Sequence, residues 1–171
     1  DGHAVFAAAD AAGRTIVQAL RRGDAIRAAR GLEKARAIAP RIDEWRASLD
    51  SGLAVAGFSP WLRPQRAELH RHHAVLQAMD FATRNLRVVA RRAVYLCDDG
   101  QRRPVPAEVL AELMRAAALV GESLDDIALQ PAAREAVRAG AVRLDPAQIL
   151  PGGSQGEQDL ITARGPFAVE L

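Results

Sequence analysis

The longest regular pattern of apolar and polar positions runs from Pro64 to Cys97, roughly 34 residues without a glycine or proline after the first residue. At ~1.5 Å rise per residue it predicts one helix about 50 Å long. Its apolar face comprises Val75, Met79, Ala82, Leu86, Val89, Ala93 and Cys97. Its opposite face is an ionic stripe made of His73, Asp80, Arg84, Arg87, Arg91 and Asp98. A helix of this length with one apolar face requires partner helices of similar length.

The chain before this helix carries the same period in two further segments. A first helix is expected over about 4–22, with Gly23 in the left-handed position that ends it. Asp24 is placed to cap the start of a second helix that runs towards Gly57. Pro40 lies inside that second pattern, which predicts a kink, or a break at which Pro40 opens a new helix.

The boundaries of the long helix are marked by helix-breaking residues. Residues 57–64 contain two prolines and form a connector, in which Phe58 and Trp61 are expected to fold back over the end of the bundle. The run Asp98-Asp99-Gly100 is expected to stop the long helix.

The C-terminal part predicts shorter elements. A fourth helix is expected over 106–120, weakened at Gly121, and Ser123 resembles an N-cap with an acid three residues later. Another short helix is expected over 131–139, with Gly140 just past its end.

These elements predict an all-α fold, an antiparallel up-down bundle of long helices with short extra helices at the C-terminus. We assign residues 1–145 to the bundle domain and 146–171 to a flexible link and C-terminal segment. The high share of alanine and the absence of strand-like alternation support this class.

Composition adds few constraints. Net charge is +2, with basic residues concentrated in 63–103 and acidic residues in 104–171. A single cysteine, Cys97, excludes an internal disulfide. We expect no signal peptide, and the printed sequence has no apolar run near the ~18 residues of a spanning helix. The chain starts without methionine, and we interpret it as a soluble piece of a longer protein.

Candidate catalytic and metal-binding groups are weak. Only His70 and His73 of the three neighbouring histidines share a helix face, and no further ligand completes a zinc site. The serines lack a nucleophile elbow and Cys97 lies in an apolar stripe, so we predict neither an enzyme nor a cofactor. Nucleic acid is not an expected partner, because net charge is low and aromatic residues make up only 4% of the chain.

The ionic stripe has two interpretations. It is either a salt-bridged surface face or a docking strip for an acidic partner or an anionic ligand. Asn85 and Arg92 lie between the apolar and charged faces, where we predict a buried interhelical hydrogen bond.

The run from Asp80 to Ala93, which reads D-x-A-x-R-N-x-R-V-x-A-R-R-A, is followed by Pro-Ala-Glu-Val-Leu at 106–110. Together with Gly23-Asp24, these residues resemble the soluble helical domain of actinobacterial FUSC-type integral membrane proteins, the aromatic acid exporter or fusaric-acid-resistance-like family. The likeness covers most of residues 10–120. It implies a domain on the cytoplasmic side of the cell membrane that follows a transmembrane part in the same chain.

The resemblance leaves three functions open. The first is a regulatory, assembly or gating domain of a transporter that exports small aromatic or organic acids, with the transmembrane part or a second copy as its partner. The second is a module that binds an anionic amphipathic ligand, such as a small organic acid, between helices. The candidate ligand or partner residues are Arg84, Asn85, Arg87, Arg91, Arg92, Tyr95 and Trp45, with Phe81 and Trp61 as further apolar wall. The third is a stand-alone helical scaffold.

Overall fold

The computed structural model describes residues 2–57, 61 and 63–142, and its regular secondary structure there is entirely helical. The elements in chain order are α1 (Gly2–Arg22), α2 (Ala25–Arg36), α3 (Ala39–Gly57), α4 (Arg63–Cys97), α5 (Pro104–Glu122), a 3-10 helix (Ile127–Leu129) and α6 (Gln130–Val142). The prediction of an all-α fold is confirmed. Residues 143–171 lie outside the described part, so the flexible C-terminal link and the domain boundary at 145 stay predictions.

Helix α1 lies at the centre of the molecule, where it packs against α2, α3, α4 and α5. Small residues make this possible, because backbones approach closely where side chains are short. Gly13 lies against the Met114 side chain, and Gly121 of α5 lies against the Phe6 ring. Helix α1 contacts four other helices, whereas the longest helix, α4, packs mainly against α1, α2 and α3.

Paired contacts define the directions of neighbouring helices. Phe6 meets Gly121 near the start of α1 and the end of α5, whereas Arg21 bonds Glu108 near the opposite ends, with Nη2 2.6 Å from Oε1. These two helices therefore run in opposite directions. The α3–α4 pair does the same, because Gly52 lies opposite Leu69 and Arg46 bonds Asp80.

The predicted corner between α1 and α2 is confirmed. Gly23 has φ of 65°, and the Asp24 carboxylate accepts a hydrogen bond from the Arg27 backbone N–H at 2.8 Å. The α4–α5 connection meets the same end of the molecule, where the Arg103 N–H donates to the Leu20 carbonyl at 2.6 Å. This hydrogen bond ties the α4–α5 connection to the last turns of α1, next to the α1–α2 corner.

The interruption at Pro40 is a full break. Helix α2 ends at Arg36 and α3 begins at Ala39, which places Pro40 in the first turn, where its missing N–H leaves no hydrogen bond unmade. The unbroken helix α4 and its stop after Cys97 agree with the prediction, and Gly100 has φ of 70°.

Several local predictions are wrong. Trp61 is 91% exposed, so it does not fold back over the described part of the bundle, while the expectation for Phe58 lies outside the described residues. Ser123 closes α5 instead of opening a helix, because its hydroxyl donates to the Val120 carbonyl at 2.7 Å. The acceptor for the next turn is Asp126, whose carboxylate accepts from the Ala128 N–H at 2.9 Å. Helix α6 also continues through Gly140, since tertiary contact with α5 overrides its weak propensity.

Across the described residues, none of the helices combines the length and the apolar character needed to cross a membrane.

Candidate functional site

The polar side of α4 faces a groove that it shares with the first turns of α3. The groove has a volume of about 260 Å³. It is lined by Ala39, Ile42, Asp43, Arg46, Asp80, Thr83, Arg84 and Arg87. The antiparallel pairing of α3 and α4 brings these two sets of charges together.

Asp80 organises the charges of this α3–α4 groove. Its Oδ2 accepts from Nη2 of Arg46 at 3.0 Å and from Nη2 of Arg84 at 2.9 Å. Arg46 also bonds Asp43 at 2.7 Å. Because the Asp80 side chain is only 24% exposed, it orients both guanidinium groups more firmly than a fully exposed carboxylate would. The result is a fixed pair of arginines at one wall of the groove.

Arg87 is the arginine of this groove that has no ion pair among the described residues. Its side chain is half-buried, and within the described residues it makes no ion pair or hydrogen bond. The lining contains three arginines and two aspartates, so one positive charge is in excess. Guanidinium donors without an acceptor, next to a small groove, suit the carboxylate of an organic acid.

The other candidate residues do not join this groove. Arg91, Arg92 and Tyr95 are exposed further along α4, and Tyr95 is 72% exposed. Trp45 is buried at 3% and packs edge-to-face on Phe6, with ring centroids 6.5 Å apart. The structure therefore brings Arg84 and Arg87 together and separates them from Trp45 and Tyr95.

The buried interhelical hydrogen bond predicted for Asn85 and Arg92 is not made by the Asn85 side-chain nitrogen. Arg92 is exposed on α4. Asn85 is half-buried, and its Nδ2 is buried without a hydrogen-bond partner within residues 2–57, 61 and 63–142. The amide therefore carries an unmet donor beside the apolar face.

Arg46 is the residue of this groove that sequence reasoning missed. It lies one helical turn after Ile42 on α3, and only the register of α3 against α4 places it beside Asp80. Periodicity shows which face of each helix is polar but carries no information on that register. A search for acids on α4 with basic residues on the neighbouring helix would have given the pair as one of several alternatives.

A line of apolar side chains also lies exposed on α4. Phe81, Val88 and Tyr95 are spaced by seven residues and are 40%, 41% and 72% exposed. Residues at this spacing share one helix face, two turns apart. They flank the arginines of the ionic stripe, so the exposed side of α4 combines apolar and cationic groups.

A wider groove of about 520 Å³ lies at the other end of the α3–α4 pair. It is lined by Ser51, Gly52, Val55, Ala56, Gln65, Glu68, Leu69 and His72. The His72 Nε2 is buried without a partner among the described residues, and His73 approaches Asp50 at 3.8 Å. In the part of the chain that the structure describes, no three metal-binding side chains come together.

The single cysteine is part of the core. The Cys97 thiol donates to the Ala19 carbonyl at 3.6 Å, and burial raises its pKa above the ordinary value. A thiol held protonated in an apolar site is a poor nucleophile. Cys97 therefore contributes to packing between α4 and α1.

Comparison of the chain with family models, with curated proteins and with solved structures gives no match.

Proposed function

We propose that this chain is a non-catalytic helical domain of a membrane transporter for small aromatic or organic acids, with an assembly or gating role on the cytoplasmic side. The proposal begins from the resemblance of residues 80–93 to the FUSC-type proteins. The observation that supports it best is the exposed line of Phe81, Val88 and Tyr95, which lies on or beside that same run. Large apolar side chains in a row on a helix surface are typical of a face that meets another helix.

The chemistry of this surface suits contact with the rest of a transporter. Arg84 and Arg91 are exposed beside Phe81 and Val88, so the face offers apolar contacts with a cationic border. Interfaces of this composition concentrate binding energy in aromatic and arginine side chains. We expect the partner to be another part of the same full-length protein, with a second copy of this domain as the other outcome.

The decisive experiment uses the natural full-length protein in membranes. Phe81→Ser, Val88→Ser and Tyr95→Ser are combined, and efflux of a benzoate-type acid is measured in cells. We expect efflux to fall because the domain no longer docks, although the protein level in the membrane is unchanged.

The matched control changes exposed apolar residues elsewhere, as Ile26→Ser, Val105→Ser and Ile127→Ser, with side chains 71%, 42% and 61% exposed. These should leave efflux unchanged. Equal efflux from both triple variants, or a full-length gene without spanning segments, would overturn the proposal.

A second candidate is a module that binds an organic anion in the α3–α4 groove. The observation that favours it is Arg87, a half-buried cation without an acidic partner in the described part of the chain. A bound carboxylate would complete its hydrogen bonds and raise the melting temperature. The Arg87→Ala variant should remove that shift, whereas Arg71→Ala, exposed on the same helix, should retain it.

Thermal shift with a panel of aromatic and fatty acids decides between the two candidates. No stabilisation at millimolar ligand would exclude this second candidate and leave the first untouched, because docking through α4 requires no small molecule.

A further inference from the structure

A strongly basic groove lies between α1 and α2, away from the α4 surface. It has a volume of about 370 Å³. It is lined by Ala11, Arg14, Thr15, Gln18, Arg27, Arg30 and Lys34. Four of these side chains are cationic and none is acidic, in contrast to the α3–α4 groove, where two aspartates offset three arginines.

Neutral acceptors from α1 hold two of the cations in place. The Arg27 Nη1 donates to the Gln18 side-chain oxygen at 2.9 Å, and the Lys34 Nζ donates to the Thr15 hydroxyl oxygen at 3.0 Å. The Thr15 hydroxyl in turn donates to the Ala11 carbonyl at 2.8 Å. These bonds orient the Arg27 and Lys34 head groups over the groove through acceptors that carry no charge.

The excess charge of the groove is two. Arg14 pairs with Asp10 at 2.6 Å, and Arg27 pairs with Asp24 at 3.3 Å. Arg30 and Lys34 make no close ion pair within the described residues, although Arg30 is near enough to Asp24 to help lower the pKa of that carboxyl. Arg27, Arg30 and Lys34 also share one face of α2, where like charges repel and weaken the helix. A bound anion would relieve this repulsion.

We propose that this α1–α2 groove is a binding site for a phosphate monoester. Such a group is largely dianionic at neutral pH and presents three strong acceptor oxygens, which suits two cations without an ion pair, Arg30 and Lys34, beside a third oriented one, Arg27. Arginine forks and a lysine ammonium are the usual protein donors for phosphate. The site shares no residue with the transporter contact proposed for α4, so either proposal can fail alone.

Binding is measured on the whole 171-residue chain by calorimetry at low salt, with glycerol 3-phosphate as the soluble monoester and citrate as a carboxylate of comparable or greater charge. The double variant Arg30→Ala, Lys34→Ala should bind glycerol 3-phosphate at least about tenfold more weakly, since it loses two charge-assisted contacts. The matched variant Arg66→Ala, Arg71→Ala removes two exposed cations of α4 and should bind like the parent.

Circular dichroism confirms that both variants keep their helices, since all four substituted side chains are at the surface. No binding of glycerol 3-phosphate overturns the proposal. Equal loss in both variants also overturns it, because binding would then follow overall charge. Equally tight binding of citrate, with the same sensitivity to Arg30 and Lys34, overturns the assignment to phosphate.

Two sources of the phosphate are distinguished by vesicles of phosphatidylcholine. Vesicles that also contain phosphatidic acid present a monoester, whereas phosphatidylglycerol presents a diester with a single charge. Sedimentation with the phosphatidic acid vesicles alone, lost in the Arg30→Ala, Lys34→Ala variant, identifies a lipid headgroup. Binding of glycerol 3-phosphate without sedimentation identifies a soluble ligand. Equal sedimentation with both anionic vesicles would instead show a nonspecific charge effect and overturn the proposal.

Discussion

Helices α1 and α4 differ in the share of their residues that is buried and in the number of helices that they contact. Helix α1 has 21 residues, about half of them buried, and meets four other helices. Helix α4 has 35 residues, and its buried positions begin only at Leu76. The longest helix is therefore not the centre of the molecule.

The difference arises from side-chain size. The buried face of α1 includes Ala9, Ala12, Gly13 and Ala19, which let several backbones approach it at once. Helix α4 has no glycine, and its first turns extend beyond the core beside the end of α3. Small residues on several sides thus allow α1 to lie at the centre. The longer helix α4 instead leaves part of its surface exposed for contacts with other molecules.

The largest difference is expected from truncation of buried leucines. Leu20 of α1 has 0% exposure, so Leu20→Ala should lower the free energy of unfolding by about 2–5 kcal/mol through lost burial and a cavity. Leu69 of α4 is half-buried at the extended end, and Leu69→Ala should cost no more than about 1 kcal/mol. Urea denaturation of both variants measures this. Equal costs would contradict the central role of α1.

Close approach to α1 gives the second largest effect. A Cβ on Gly121 would lie 2.9 Å from the Phe6 Cγ, so Gly121→Ala should destabilise by about 1–3 kcal/mol through overpacking. Gly57, at the end of α3, has no described atom outside its chain neighbours and its own helix backbone within 4 Å of the equivalent position. Gly57→Ala should therefore be neutral or stabilise by up to about 1 kcal/mol in thermal unfolding. Two variants that behave alike would show that the α1–α5 contact is not tight.

The sequence predicts the faces and ends of helices because these follow from local chemistry. The period of Met79, Leu86 and Val89 gives the buried side of α4, and Gly23 with Asp24 gives the first corner. To predict which face of a helix is buried, it is enough that apolar residues recur with the helical period. These features therefore needed no knowledge of the neighbours.

Features that depend on neighbours were missed. Ser123 has the composition of a helix start, but its burial at the end of α5 makes the Val120 carbonyl its nearest acceptor. Arg46 enters the α3–α4 groove only because of the register against Asp80. The central position of α1 likewise depends on which small residues face which helices, and periodicity does not specify this.

Protonation of two carboxylates in strong acid should weaken the corners that join α1 to α2 and α4 to α5. The hydrogen bond from the Arg27 N–H lowers the pKa of Asp24, and the one from the Gln101 N–H lowers the pKa of Asp99. A carboxyl group whose pKa is lowered in the folded state stabilises the fold at pH values above its ordinary pKa of 3.8. This stabilisation is lost as the pH falls through the folded-state pKa. The variant Asp24→Asn, Asp99→Asn should flatten the fall in melting temperature over that range.

Asparagine remains a good N-cap and turn acceptor, so the double asparagine variant should keep its helices at neutral pH. An unchanged acid slope would show that other carboxylates govern acid unfolding. A collapse at neutral pH would show that the charge, and not the hydrogen bond, maintains the corners.

The smallest effect on stability is expected on the exposed side of α4. Tyr95 is 72% exposed, so Tyr95→Ser should change the free energy of unfolding by no more than about 0.5 kcal/mol in urea. Leu86, on the buried side of the same helix at 2%, should cost about 2–5 kcal/mol as Leu86→Ala. A large loss in Tyr95→Ser would mean that this side is packed within the chain itself. A negligible loss leaves the side chain free to stabilise contact with another molecule, because it contributes nothing to the isolated fold.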